Sequence, residues 1–210
     1  MSWKTFFQTK RNRIEFVITI LLLIAVIFSF SQFLQFIEQR EGVILPDPLL
    51  ATFTPVDLTW LTFTLIYLSI IIFIYSIRNK PEDILMALQV YGLMVIFRTI
   101  SMYLTPLNAP AALILLDDPF VQFFGKGEIL TKDLFFSGHT GTLFLLFLLT
   151  ERKSLKFIFL ISTIAVGIAV LLQHVHYSID VFVAPFVAYG SFRIVKIFQN
   201  KKTELTSKKL

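Results

Sequence analysis

Two long uncharged apolar runs constrain this chain more than any other feature. Phe16–Ile37 and Leu58–Ile77 contain no Asp, Glu, Lys or Arg. A bilayer core about 30 Å thick needs about 20 predominantly apolar helical residues, and each run supplies them. Composition agrees: 56% of the 210 residues are hydrophobic and 16% charged, against about 45–50% and about 25% in soluble domains. A soluble globular domain, a disordered chain and a disulfide-stapled secreted domain are all excluded. The absence of cysteine removes Cys nucleophiles and Cys metal ligands.

Four further spans follow. Ile84–Tyr103 is interrupted only by Arg98, Leu134–Thr150 is shorter, Phe157–Gln173 is the fifth, and the sixth runs from Tyr177 to about Phe192. Ala109–Leu116 is apolar but too short to cross and reads as an interfacial or buried outer segment. The first span is too long for a signal-peptide core, and no small-residue cleavage site follows it.

The basic residues give the orientation. Fifteen of the 19 fall in the N-terminal segment, the second-to-third link, the fourth-to-fifth link and the C-terminal segment. Arg40, Lys126 and Lys132 occupy the opposite loops, and Arg98 lies within a span. The expected fold class is therefore all-α: a six-helix transmembrane bundle with both termini cytoplasmic. The chain reads as one membrane domain over 1–210. It has basic tails at 1–13 and 199–210, a six-span bundle at 14–198 and a functional part at about 98–188. The same placement explains the net charge of +5 without nucleic acid.

Ionisable groups inside a membrane are costly and functional by default. Here they are Arg98, His139, His176 and Asp180. With this topology Arg98 lies about five residues, about 8 Å, below the outer end of its span. His139, His176 and Asp180 stand at the outer ends of theirs. Four groups from three spans thus share one depth. A transporter pathway would spread polar groups across the membrane, and an inactive scaffold would be expected to lose some of them.

His176 and Asp180 are four apart, on one helix face. A carboxylate there fixes the histidine tautomer and leaves the other ring nitrogen free to attack or take a proton. The alternative is a satisfied polar pair that only helps helices pack. Ser137-Gly138-His139-Thr140 reads as an N-cap, a residue allowing close backbone approach and a histidine at a helix start. Helix starts favour anions such as phosphate. Arg98 adds a planar cationic fork suited to phosphate, or else snorkels to headgroups. These parts describe phosphoryl chemistry.

Asp133-Leu-Phe-Phe-Ser137-Gly138-His139-Thr140 and His176-Tyr177-Ser178-Ile179-Asp180-Val181 resemble the two signature motifs of the sphingomyelin synthase family. That family is a branch of the type 2 phosphatidic acid phosphatase (PAP2) superfamily. Arg98-Thr-Ile-Ser-Met-Tyr-Leu-Thr105-Pro-Leu-Asn-Ala-Pro110 resembles a third motif. The wider superfamily usually has Pro at Phe136, Arg at Val170 and Pro at Thr99, and these departures lean toward the synthase branch. Thr131-Lys132 stands where animal synthases often have Cys-Gly.

The resemblance implies a lipid phosphotransferase that moves a phospho-headgroup from a phospholipid to a ceramide- or diacylglycerol-type alcohol. The alternative acceptor is water, which makes the enzyme a lipid phosphate phosphatase. His176 would be the nucleophile, Asp180 its orienting partner, and His139 the acid and base, with Asp133 assisting His139. Arg98, Ser137, Gly138, Thr140 and Tyr177 would hold the phosphate or headgroup. The resemblance implies no metal and no cofactor. The implied partners are lipid donor and acceptor, with a homo-oligomer as an option. A bacterial cytoplasmic membrane, with the site on its outer side, is the expected location.

His174, two residues from His176, does not share its helix face and is set aside as a metal ligand. Asp117-Asp118-Pro119 and Gly125-Lys126-Gly127 read as turns in an outer loop. The 24 Phe read as packing and lipid-facing residues.

Overall fold

The computed structural model describes residues 2–116 and 130–207, and the turns expected around 117–119 and 125–127 lie outside them. Among the described residues there are seven α-helices and no β-strand. α1 is Trp3–Gln8, α2 Lys10–Gln39, α3 Thr59–Ile77, α4 Pro81–Leu104, α5 Gly138–Leu149, α6 Lys153–Leu172 and α7 Ser178–Ser207. Five of them, α2, α3, α4, α6 and α7, are long and apolar enough to cross a membrane. The chain is an integral membrane protein of helical-bundle type.

Local sequence explains where these helices begin. α4 opens with Pro81, whose fixed φ suits a first helical position. Glu82 and Asp83 then complement its dipole. α5 is capped by Ser137. That cap makes the fourth span shorter than expected. Leu134–Ser137 is not helical, and the 12 residues of α5 rise only about 18 Å. α7 continues to Ser207, so helix extends into the segment expected to be a basic tail. The 109–116 segment forms no helix. It is pinned by Ile114, whose N–H donates to the Gln173 carbonyl.

α5 is the central element. One apolar cluster joins Phe63, Ile66 and Phe73 of α3 to Leu143 and Leu146 of α5 and Phe159, Val166 and Val170 of α6. A second joins Val90 and Met94 of α4 to Phe136, Leu145 of α5 and Ala184 and Ala188 of α7. α2 leans on α4 and buries only Thr19 and Ile37 of its own residues. The rest of its surface is apolar and open, as a lipid-facing helix requires.

Contacts gather the basic segments at one end of the bundle. Trp3 Nε1 donates to the Arg78 carbonyl at 2.7 Å. Lys80 Nζ meets Glu151 at 2.9 Å, and Gln199 donates to Gln89 at 3.0 Å. The other end carries the candidate site.

Candidate active site

His176 is delivered by a tight reversal between α6 and α7. Val175 N–H bonds the Val170 carbonyl and His174 N–H the Leu171 carbonyl, the two bonds of a Schellman C-cap. His174 takes the left-handed position, with φ 56°. Glycine is the usual residue there, so sequence alone gave no sign of this turn. The His174 ring lies edge-on against Phe53, 5.2 Å between centroids.

Two residues on, His176 Nδ1 faces Asp180 Oδ2 at 3.3 Å. Tyr177 N–H donates to the same oxygen at 3.2 Å. His176 is 1% exposed and Asp180 fully buried. With Nδ1–H directed at Asp180, the lone pair resides on Nε2, a buried atom that has no hydrogen-bond partner. An unmet buried polar atom costs about 1–3 kcal/mol, a cost a ligand can remove. The His139 ring stands across from His176, 5.9 Å between centroids.

Arg98 is the third contributor. Its Nε and Nη2 donate to Asp133 Oδ1 at 3.2 and 2.7 Å. Nη2 also reaches the Asp133 carbonyl at 3.4 Å. Nη1 is buried without a partner. The guanidinium lies against Gly138 so closely that a Cβ there would collide with Nη1 and Cζ. Gly138 is therefore required by Arg98, a contact that its place in the motif did not reveal. Arg98 Nη1 lies at the start of α5, and Arg98, Gly138 and His139 line one cavity, where first-turn N–H groups favour an anion. The His176 ring packs against that of His139.

The remaining expected residues are placed as follows. Asp133 directs its carboxylate at Arg98, so its visible role is to aim the guanidinium. Ser137 Oγ accepts from Thr140 N–H at 3.4 Å and bonds Thr140 Oγ1 at 3.1 Å. Both side chains are buried, and their hydroxyls serve the helix start. Tyr177 turns its hydroxyl away from the histidines. It donates to the Asn108 carbonyl at 2.8 Å and accepts from Leu45 N–H at 3.2 Å.

Three supports escaped the sequence reading. Glu38, at the end of α2, accepts from Thr131 N–H and Lys132 N–H at 3.0 Å each, and from Thr131 Oγ1 at 2.6 Å. It thereby holds the extended segment that carries Asp133. Gln173 is fully buried and links Leu58 N–H, Thr59 Oγ1 and the Leu115 carbonyl. Asp47 Oδ2 accepts from Ser178 N–H at 2.7 Å and Ser178 Oγ at 2.8 Å, capping α7. Its Oδ1 accepts from Leu49 and Leu50 N–H. Partial burial pushes the Asp47 carboxyl up, but these hydrogen bonds together outweigh it and hold it below the usual aspartate value. A lone acidic residue near a span gives no sequence signal for such roles.

A cavity of about 240 Å³ adjoins Arg98, Asp133, Gly138 and His139. Its other walls are mostly apolar, with Phe30 of α2, Ile66 and Ile70 of α3, and Met94 and Val95 of α4, beside Tyr91 and Thr142. It continues from the charged cluster between the helices.

Comparison with known proteins agrees with this geometry. Residues 132–197 match the family described as PAP2 superfamily C-terminal. The match takes in Asp133, the Ser137–Thr140 motif and the His176–Asp180 motif, but not Arg98. No curated protein matches the sequence. Among solved structures, the crystal structure of Aquifex aeolicus LpxE is similar at TM-score 0.49 and 16% identity, covering 79% of this chain and 93% of that one. The match covers about a third of the chain, so the superfamily reading belongs with the proposal below, as does the narrower sphingomyelin synthase branch.

Proposed function

We propose that this PAP2-type chain is a membrane lipid phosphotransferase. It moves a phospho-headgroup between lipid alcohols through a phospho-histidine intermediate. The observation that carries the reading is the buried, partnerless Nε2 of His176, whose ring is oriented by Asp180 and packs against the His139 ring.

The steps follow from these positions. His176 Nε2 attacks phosphorus and forms a P–N bond as the P–O bond to the leaving alcohol breaks. Protonated His139 gives its proton to that oxygen. Asp180 stabilises the positive charge on the His176 ring. Arg98 and the α5 N–H groups meet the negative charge on the phosphoryl oxygens. In the second half, His139 removes a proton from the acceptor hydroxyl, whose oxygen forms the new P–O bond as P–N breaks.

The apolar walls of the cavity favour a lipid acceptor of ceramide or diacylglycerol type, because a dry site protects the intermediate from water. The PAP2 match favours a second reading, in which water is the acceptor and the enzyme is a lipid phosphate phosphatase. In the proposed orientation the catalytic end faces the outer side of a bacterial cytoplasmic membrane, with both termini inside.

The test uses purified protein in mixed micelles with headgroup-labelled phospholipids, with and without ceramide or diacylglycerol, and His176→Ala as control. Label on the acceptor lipid establishes transfer. Label released only to water establishes the phosphatase. Wild-type turnover by His176→Ala overturns both.

A further inference from the structure

A second cavity opens toward the end of the bundle remote from the histidines. It is a groove of about 800 Å³ between α2 and α4, within the range of small-molecule and lipid sites. Its α2 wall runs from Lys10 to Val26 and its α4 wall from Leu88 to Ile96. α2 ends near Glu38, which touches the segment before Asp133. Lys10 is 28 residues earlier, about 42 Å away along the axis. The groove's mouth is therefore remote from the histidines, while its inner end at Val26 and Ile96 comes within about one helical turn of Phe30 and Arg98.

Its polarity is graded. Lys10 and Arg11 stand at the mouth, and Ile14, Ile18, Leu22 and Val26 follow at helical spacing. Ile14 to Val26 spans about 18 Å at 1.5 Å per residue, close to one leaflet of a 30 Å core. Glu15 is the opposing charge. Its Oε1 accepts from Gln89 Nε2 at 3.3 Å, and the same nitrogen donates to Thr19 at 3.2 Å. Two cations and one carboxylate leave the mouth a net positive charge. Ile14, Ile18 and Leu22 remain about half exposed, so the groove is open to the bilayer.

We propose that this groove binds one anionic phospholipid from the leaflet at the N-terminal end. Its phosphate sits at Lys10 and Arg11, and an acyl chain lies along Ile14–Val26. Charge complementarity selects the headgroup, since basic pockets between helices at this level favour anionic lipid. The matched length selects an extended chain. This site is independent of the proposed reaction and stands whether or not that reading holds.

The test is native mass spectrometry of the detergent-purified protein given equimolar dioleoyl phosphatidylglycerol and dioleoyl phosphatidylcholine. The wild type should retain phosphatidylglycerol preferentially. The Lys10→Gln/Arg11→Gln variant should bind it about tenfold more weakly, leaving phosphatidylcholine adducts unchanged. Leu22→Trp, at an exposed position, should fill the groove and reduce phosphatidylglycerol adducts with the basic mouth intact. All three keep the catalytic cluster, so a lost adduct belongs to the groove. Equal retention of the two lipids by the wild type would overturn the proposal. So would wild-type phosphatidylglycerol binding by the double variant, or a lipid-free dimer that Leu22→Trp dissociates.

Discussion

The backbone N–H of Ser137 donates to the carbonyl of Asp180 at 3.1 Å. This bond joins the two histidine motifs directly. It fixes the start of α5, with its anion-favouring N–H groups, against the first turn of α7, which orients His176. The relative position of His176 and the start of α5 is thus set by main chain. Side-chain substitutions within the site should therefore leave the scaffold in place, and their kinetic effects can be read as chemistry.

His176→Ala should abolish turnover and any acid-labile phosphoprotein formed from labelled donor. Asp180→Asn keeps the shape but removes the charge that fixes the His176 tautomer. Its rate should fall by about 10³- to 10⁴-fold, by analogy with the loss of an orienting aspartate elsewhere. Steady-state rates at equal folded protein, judged by size-exclusion profile, check both. An Asp180→Asn enzyme within threefold of wild type would remove Asp180 from the mechanism.

Gly138→Ala places a methyl where the Arg98 guanidinium lies. The side chain must move, and Nη1 leaves its place beside α5. Activity should fall about 100-fold, the scale for losing one preorganised oxyanion donor. Arg98→Lys should do no better, because a point charge replaces a planar fork. Asp133→Asn should fall in the same direction, by loosening the aim of Arg98. Inhibition by a non-hydrolysable phosphonate lipid should weaken in parallel for all three variants.

Five long apolar helices and the grouping of His139, His176 and Asp180 are legible in the sequence because both are written in residue type. Uncharged runs mark helices in a membrane, and ionisable residues at one depth mark the site. The supports are not written that way. Glu38 and Gln173 act through backbone partners far along the chain, which no local pattern specifies. Gly138 looks like an ordinary helix-start glycine until Arg98 is placed beside it. Ser137 and Thr140 read equally well as ligand-binding hydroxyls or as a cap, and only the geometry distinguishes the two uses. Tyr177 sits inside a signature motif, yet its hydroxyl bonds to the loops at Leu45 and Asn108.

His174 and His176 should separate cleanly. His174 holds a left-handed backbone position that costs a side-chain-bearing residue about 1–2 kcal/mol. His174→Gly relieves that strain, and the added freedom of the unfolded chain offsets part of the gain. The variant should unfold at an equal or higher temperature, with a gain of up to about 1 kcal/mol, and retain turnover. His174→Val should be destabilised, since a β-branched residue tolerates positive φ poorly. Thermal unfolding followed by intrinsic fluorescence checks both. A large loss of activity in a stable His174→Gly protein would assign the His174 ring a direct role.

Acid should loosen the turn that presents His176. Asp47 has a folded-state pKa below its unfolded value of about 3.9, because its carboxylate caps α7 through Ser178 and also binds Leu49 and Leu50 N–H. A depressed carboxyl stabilises the fold above the unfolded pKa. That contribution is lost as pH falls through the folded value, here below about pH 4. Asp47→Ala removes the cap and should cost about 1 kcal/mol at neutral pH. Its stability should then fall less steeply between pH 5 and pH 3 than that of the wild type. Denaturation midpoints in mixed micelles across that range give the comparison, and parallel slopes would show that Asp47 contributes nothing to acid sensitivity.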